Sequence, residues 1–441
     1  DNTVELPEDD YDANKIPSSN TTVTSVVIPE GVEEIQKYAF YNCTGLRSVV
    51  LPKSLKFIRE YAFYGDESLS RLYVNGAVVK TTDSEASAYY NGETLKDGYR
   101  LNGQYITTNG DFVVKQSYSD YKGFAQTETQ VVARRAFSGC KLLDSVDLSK
   151  IYALGEAAFY GCQSLSYADL SSLRNTGNLA FSKCSSLEQV TLVKDTKLSE
   201  AMFSLSGLAS VDVYNENCDI PRFCFTNCEK LTKVTLHGDL ETIGEGAFSE
   251  CPALTEVHFD GKVNVIGRQA FFRDTALTSI TLPNNRVQIG TYAFCQCTKL
   301  AEVVLAPETV LVQAYSPVGS DDVHNQDNAV NPAASGYAFQ ETAISSFRVL
   351  GGNNYTVSAD GKLLLSDGGK TIVLAATSAS YGDYTLPSGI TAVADGAFSG
   401  TDITSLTVPD GVKSIGAYAF AGCSKLTTVT LPATRGISIG S

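Results

Sequence analysis

Three histidines, His237, His258 and His324, are all the imidazole this 441-residue chain offers for acid–base or metal chemistry. His237 and His258 fall on or just after neighbouring predicted strands and face solvent, so a paired histidine site is one reading and an incidental repeat surface the commoner one. Cys218, Cys224 and Cys228 cluster without a fourth ligand, which argues against structural zinc. Asp321–Pro332 has no Gly at its sixth position and Pro at its twelfth, where a calcium loop needs Glu. No G-x-G-x-x-G, G-x-x-x-x-G-K-[ST] or H-E-x-x-H occurs. An acid pair such as Asp147 and Asp169 is the one enzyme-like arrangement, and no cofactor or metal is expected.

These residues must be positioned by a repeat. Ala247-Phe248-Ser249-Glu250-Cys251 leads through Leu254, Val257 and Phe259 to Ile266, and Ala270-Phe271 restarts the pattern. The general form is A-F-x-x-C-x-x-L-x-x-V-x-L-P, with an aliphatic residue five positions before the next Phe. Thirteen units place Phe at 40, 63, 137, 159, 181, 203, 225, 248, 271, 294, 339, 398 and 420, and nine of the twelve intervals are 22 or 23 residues. A fixed period of this length marks a solenoid, in which each unit buries its apolar face against its neighbours. Each L-x-x-V-x-L segment alternates as a short strand should, and the spacing makes neighbouring strands parallel. The A-F segment is too short for a full helix and predicts a single helical or 3₁₀ turn. The expected fold is an α/β solenoid of about 13 right-handed units with a parallel sheet on one face and β-hairpin insertions.

Residues 1–22 read as a polar leader or tether, and 23–441 as one solenoid. Three intervals of 74, 45 and 59 residues mark insertions at about 75–130, 307–336 and 350–386. The first and third carry Asn-Gly or Asp-Gly between apolar alternations and predict hairpins. The second is polar and irregular, and its interval, nearly twice the period, suggests a degenerate coil hidden inside. Leu431-Pro432, Ile437 and Ile439 open a further turn that is not completed, so a native chain continuing past Ser441 is expected.

Composition narrows the partners. With 34 Lys and Arg against 49 Asp and Glu the net charge is −15, which argues against nucleic acid or anionic lipid. No apolar run is long enough for a transmembrane helix. Eight of eleven Cys follow the repeat Phe by three residues; Asp66, Ser206, Asp274, Thr342 and Thr401 hold that place in the other units. Inward thiols stacked at the strand spacing of about 4.8 Å lie too far apart for a disulfide's Cβ separation of about 3.8 Å. They are expected to be reduced and structural.

The residue between Val and Leu of each strand forms an outward row: Val50, Tyr73, Asp147, Asp169, Thr191, Asp212, Thr235, His258, Thr281, Val304, Arg348, Thr407 and Thr430. Asp147, Asp169 and Asp212 concentrate charge there, with Tyr167 and Tyr214 nearby. Acid beside tyrosine suits a basic or glycan ligand; a merely solvated face is the alternative. The candidate ligand-binding residues are Tyr73, Asp147, Tyr167, Asp169, Asp212, Tyr214, His258 and Arg348.

With A-F ahead of the Cys and the Cys ahead of the strand, the units resemble BspA-type, or Treponema pallidum-type, leucine-rich repeats over residues 23–440. The resemblance implies a bacterial surface or secreted protein, especially of gut and oral Bacteroidetes, and adhesion to host matrix proteins or other bacteria. It supplies no catalytic motif. The reading that follows is a non-enzymatic, monomeric binding protein for a protein ligand, extracellular or on the outer cell surface, with a lipid anchor on a removed leader as one means of attachment. A glycan-binding component of a nutrient-uptake system is the alternative.

Overall fold

A phenylalanine that recurs every 22 or 23 residues can be dehydrated only by its counterparts in adjacent coils, and the computed structural model shows that packing. It describes residues 20–74, 88–90, 93–95, 130–194, 196–214, 218–312, 337–352, 354–433 and 436–440. Two compact units divide at Leu208/Ala209. Each is a parallel β-solenoid. In the first, the rings of Phe40, Phe63, Phe137, Phe159, Phe181 and Phe203 stack in sequence at centroid separations of 5.0–5.7 Å. In the second, Phe225, Phe248, Phe271, Phe294 and Phe339 do the same at 5.2–5.4 Å. These separations lie within the favourable range for offset aromatic pairs.

Two walls of short parallel strands flank the rings. In the first unit one wall joins Ser25–Val27, Ser48–Leu51 and Arg71–Val74, and the other runs from Glu34–Ile35 through Phe57–Ile58, Val131–Val132 and Ala153–Leu154 to Asn175–Thr176. In the second unit one wall carries Ser210–Tyr214, Lys233–His237 and Glu256–Phe259, followed by Ser279–Leu282, Glu302–Leu305 and Ser346–Val349. The other joins Cys218–Ile220, Leu240–Ile243, Val263–Ile266, Arg286–Ile289 and Val310–Val312. The 74-residue interval does not interrupt the stack: Phe57–Ile58 pairs directly with Val131–Val132. Of that insertion, the strands Ala88–Tyr90 and Glu93–Leu95 form an antiparallel pair. The hairpin expected from Tyr99 onward, residues 313–336 and the leader through Ser19 lie outside the described residues.

The A-F segment differs from the helical turn that its length suggested. Among the described residues one 3₁₀ turn occurs, Tyr337–Phe339, and no α-helix. The residues two before and two after the Phe instead take left-handed backbone angles, as at Tyr38 (φ 62°) and Asn42 (φ 53°), or Leu179 (φ 61°) and Lys183 (φ 62°). This alternation turns three N–H groups along the stack. Those of Tyr38, Phe40 and Asn42 donate to the carbonyls of Glu60, Ala62 and Tyr64 in the next coil. A helix would spend such donors within its own coil, so lateral bonding prevails. A left-handed L-residue costs about 1–2 kcal/mol. Leu205 carries that cost at φ 60° while 41% exposed. Leu205→Gly should therefore raise stability by up to ~1 kcal/mol, glycine's unfolded-state entropy offsetting part of the relief. A rise in denaturation midpoint would show it, and a fall would mean the leucine's packing outweighs its strain.

The hidden coil lies in the third insertion, not the second. Phe294 stacks directly on Phe339 at 5.2 Å, which leaves no room for a coil between them. The 59-residue interval instead holds a meander of Thr356–Val357, Leu363–Ser366 and Thr371–Ala375, whose last strand pairs in parallel with Ala392–Val393. Leu363, Leu365, Ile372 and Tyr381 fill the core where a repeat Phe is missing, and the Tyr381 ring meets Phe398 edge-on. Tyr384 donates to Asp360 at 2.7 Å, while the Lys362 ammonium lies over the Tyr381 and Tyr384 rings. These tyrosines seat the hairpin on its unit.

Cys43, Cys140, Cys162, Cys184, Cys224, Cys228, Cys251, Cys295, Cys297 and Cys423 are free thiols. Burial pushes Cys184 up to about 12 and Cys43 and Cys295 up to about 11, so they stay protonated and unreactive at neutral pH.

Candidate binding face

In a parallel solenoid, residues separated by one period stand side by side. Tyr214, His237 and Asp260 are each 23 residues apart, and Tyr214 pairs with His237 in the sheet register. The His237 ring stacks on that of Tyr214 at 4.4 Å and 8°. Its Nδ1 lies 2.8 Å from Asp260 Oδ2, and its Nε2 lies 3.4 Å from Asp212 Oδ1. A protonated imidazole donates to both carboxylates; a neutral one serves a single partner. Three consecutive coils thus converge on one patch. Asp212 and Asp260 keep more than half of their side-chain surface in solvent, so the patch is a surface and not a cleft.

The adjoining strand extends it. His258 Nε2 lies 3.2 Å from Glu256 Oε2, and Lys233 Nζ lies 3.8 Å from the same oxygen. Arg348 is 56% exposed and pairs with Glu302 at 3.3 Å, beyond Ser279–Leu282. Surface pairs of this kind contribute little stability, which leaves these side chains available to a ligand at low cost.

The other nominated acids have local work. Asp147 Oδ1 accepts from the Ser149 amide, and Asp169 Oδ1 from the Ser171 amide, both at 3.0 Å. Each carboxylate closes a turn after its strand segment, in the manner of an Asx-turn. Tyr167, 45% exposed, has its hydroxyl 3.0 Å from Thr191 Oγ1. The Tyr73 side chain lies outside the described residues.

The outward row is not uniformly solvated, contrary to the alternation read from sequence. Val50, Thr235 and Val304 are 4%, 8% and 1% exposed. Thr235 is short and stands between Asp212 and His258; Val304 stands between Thr281 and Arg348. At the strand spacing of about 4.8 Å the longer Asp212 and His258 shade Thr235, and Arg348 covers Val304 from one side. His237, read from sequence only as a possible partner of His258, and Asp260 stand outside the row between Val and Leu. The 23-residue spacing Tyr214–His237–Asp260, two positions later, was the available signal.

Among the described residues no group of three or more His, Cys, Asp or Glu converges as a metal site, and no helix is long and apolar enough to cross a membrane.

Comparison with curated proteins found no match. Among solved structures, a leucine-rich repeat protein from Bacteroides ovatus is 19% identical, with 92% of this chain and 86% of that chain covered and a TM-score of 0.48. A leucine-rich cell surface protein from Faecalibacterium prausnitzii is also 19% identical, covering 94% and 90% at a TM-score of 0.38. The pneumococcal vaccine antigen PcpA is 14% identical, covering 93% and 89% at a TM-score of 0.38. The family model for the BspA-type leucine-rich repeat region matches residues 18–108, 123–219, 218–316 and 377–441, more than half of the sequence. The chain belongs to the BspA-type leucine-rich repeat family.

Proposed function

We propose that this is a non-enzymatic bacterial binding protein, secreted or held at the outer cell surface, that takes a protein ligand on the strand face around Ser210–Phe259. The observation that carries the reading is the Tyr214–His237 stack bracketed by Asp212 and Asp260. Aromatic rings edged by exposed charge cover contact area at low entropic cost and mark the centres of many interfaces. Membership of a repeat family whose members commonly bind proteins supports the same view. Adhesion to host matrix or to other bacterial cells is the role that such a face would serve.

The test is capture by the intact chain of host matrix proteins and bacterial surface fractions, repeated with Tyr214→Ala and His237→Ala. Each change should weaken capture by about 10- to 100-fold if the stack is a hot spot. Capture unchanged in the double variant would remove the face from consideration. The exposed rings of Tyr167 and Tyr214 favour a second reading, glycan recognition. Capture of polysaccharide but no protein would establish it in place of the first.

A further inference from the structure

Six of the inward thiols obey one bonding rule. Sγ of Cys140, Cys162 and Cys184 donates to the carbonyls of Phe63, Phe137 and Phe159 at 3.1–3.2 Å. Sγ of Cys251, Cys297 and Cys423 donates to those of Phe225, Phe271 and Phe398 at 3.0–3.3 Å. In every case the acceptor is the repeat Phe of the preceding coil. Each such bond ties two coils together inside the core, where no water competes. Thr342 and Thr401 depart from the rule: their shorter hydroxyls bond the Phe of their own coil.

Two coils place a carboxyl group at this register. Asp66 and Asp274 are both fully buried. Neither Asp66 oxygen makes a well-formed hydrogen bond. Asp274 Oδ1 accepts from the Cys251 amide at 2.9 Å, while its Oδ2 has no partner. The titratable groups facing Asp66 are the thiols of Cys43 and Cys140, and those facing Asp274 are the thiols of Cys251, Cys297 and, through Cys251, Cys228. No cation is among them. An ionised carboxylate enclosed without a cation is strongly unfavourable, and a protonated one is a donor. By the ladder's rule that donor belongs on the carbonyls of Phe40 and Phe248.

We propose that Asp66 and Asp274 are carried as neutral carboxylic acids that replace the cysteine thiol in the ladder, each O–H donating to the Phe carbonyl of the preceding coil, so that two bound protons hold two seams of the stack closed. Burial pushes Asp66 up to about 9, the nearby Cys43 amide offsetting part of this, and Asp274 well above the usual carboxylate range. Both carboxyls keep their proton when the coil is closed and lose it to water when the coil opens above an ordinary aspartate pKa of about 4. The closed form then binds more protons than the open form, so stability falls as pH rises from about 4 towards the folded-state value. Below about pH 4 both forms are protonated and the dependence vanishes. The solenoid is therefore tighter in mildly acidic than in alkaline surroundings, through two side chains that never touch solvent.

The test is native-state hydrogen exchange on the full chain between about pH 5 and pH 8, with the intrinsic chemical dependence on pH removed. At the Asp66 and Asp274 seams the local opening constant should rise about tenfold per pH unit relative to the Cys184 seam, which faces no carboxyl. Asp66→Asn and Asp274→Asn should flatten the rise at their own seams. Asp66→Cys and Asp274→Cys, which restore the majority residue, should do so too and serve if an Asn variant does not fold. Infrared spectroscopy at pH 7 should show a protonated-carboxyl band that the double variant lacks. Equal pH slopes in the parent and the variants, or absence of that band in the parent, would overturn the proposal.

Discussion

Phe181→Ala is expected to lower the stability of the first unit by about 3–5 kcal/mol, among the largest losses available to a single side chain. The ring is fully buried and stacks on Phe159 at 5.5 Å and on Phe203 at 5.7 Å. Removing it leaves a void with an aromatic face on each side. The void cannot close by sliding the coils together, because the Phe159, Phe181 and Lys183 amides are already bonded to the carbonyls of Ala180, Met202 and Ser204 in the next coil. Those bonds hold the coil spacing. Stacked repeats need not unfold in one step, so hydrogen exchange across residues 159–203 is the right probe, with a denaturant midpoint as the global check. Phe57→Ala, on a strand and 37% exposed, should cost well under half as much. Equal losses for the two would contradict the ring column as the main source of stability.

Gly177→Ala is expected to cost about 1–3 kcal/mol, towards the upper end because the obstacle is backbone and not a movable side chain. A Cβ on Gly177 would lie 2.1 Å from the Glu156 nitrogen and 2.4 Å from the Gly155 carbonyl carbon. The Gly177 amide also donates to Leu154 O at 2.8 Å, so this corner cannot retreat without breaking a coil-to-coil bond. Gly161 supplies the control. It has φ +72° and nothing within 4 Å of a new Cβ, so Gly161→Ala should show only the left-handed cost of about 1–2 kcal/mol. Thermal unfolding of both variants separates close approach from backbone angle. A harmless Gly177→Ala would mean that the coils separate more easily than their hydrogen bonds suggest.

Much of the fold was legible because a solenoid's contacts are local in sequence. Phe at a spacing of 22 or 23 residues specifies which residue meets which, and the parallel walls and ring columns follow. The A-F corner was harder. Several of its left-handed positions are filled by Tyr38, Leu179, Lys183 and Ala201, which do not announce that conformation as Gly65, Gly139 and Gly161 do in other coils. It persists because the lateral hydrogen bonds it permits offset the backbone cost. Interval arithmetic placed a hidden coil in the 45-residue gap, yet the coil that carries no Phe sits in the 59-residue one, where Leu363, Leu365, Ile372 and Tyr381 replace the ring.

Of the site, the sequence by itself determined which residues stand in one register, and hence that Asp212 and Tyr214 share the face with His258. Only the tertiary structure decided what those residues do. Asp147 and Asp169 turn back to the Ser149 and Ser171 amides, while Asp212 reaches diagonally across one coil to His237. The repeat period sets where each Cα stands, but a side chain chooses among partners within about 3 Å, and that choice depends on local backbone direction. The same holds inside the core. The sequence placed Asp66 and Asp274 in the thiol register; their enclosure, without a cation beside them, is what makes a proton part of the fold.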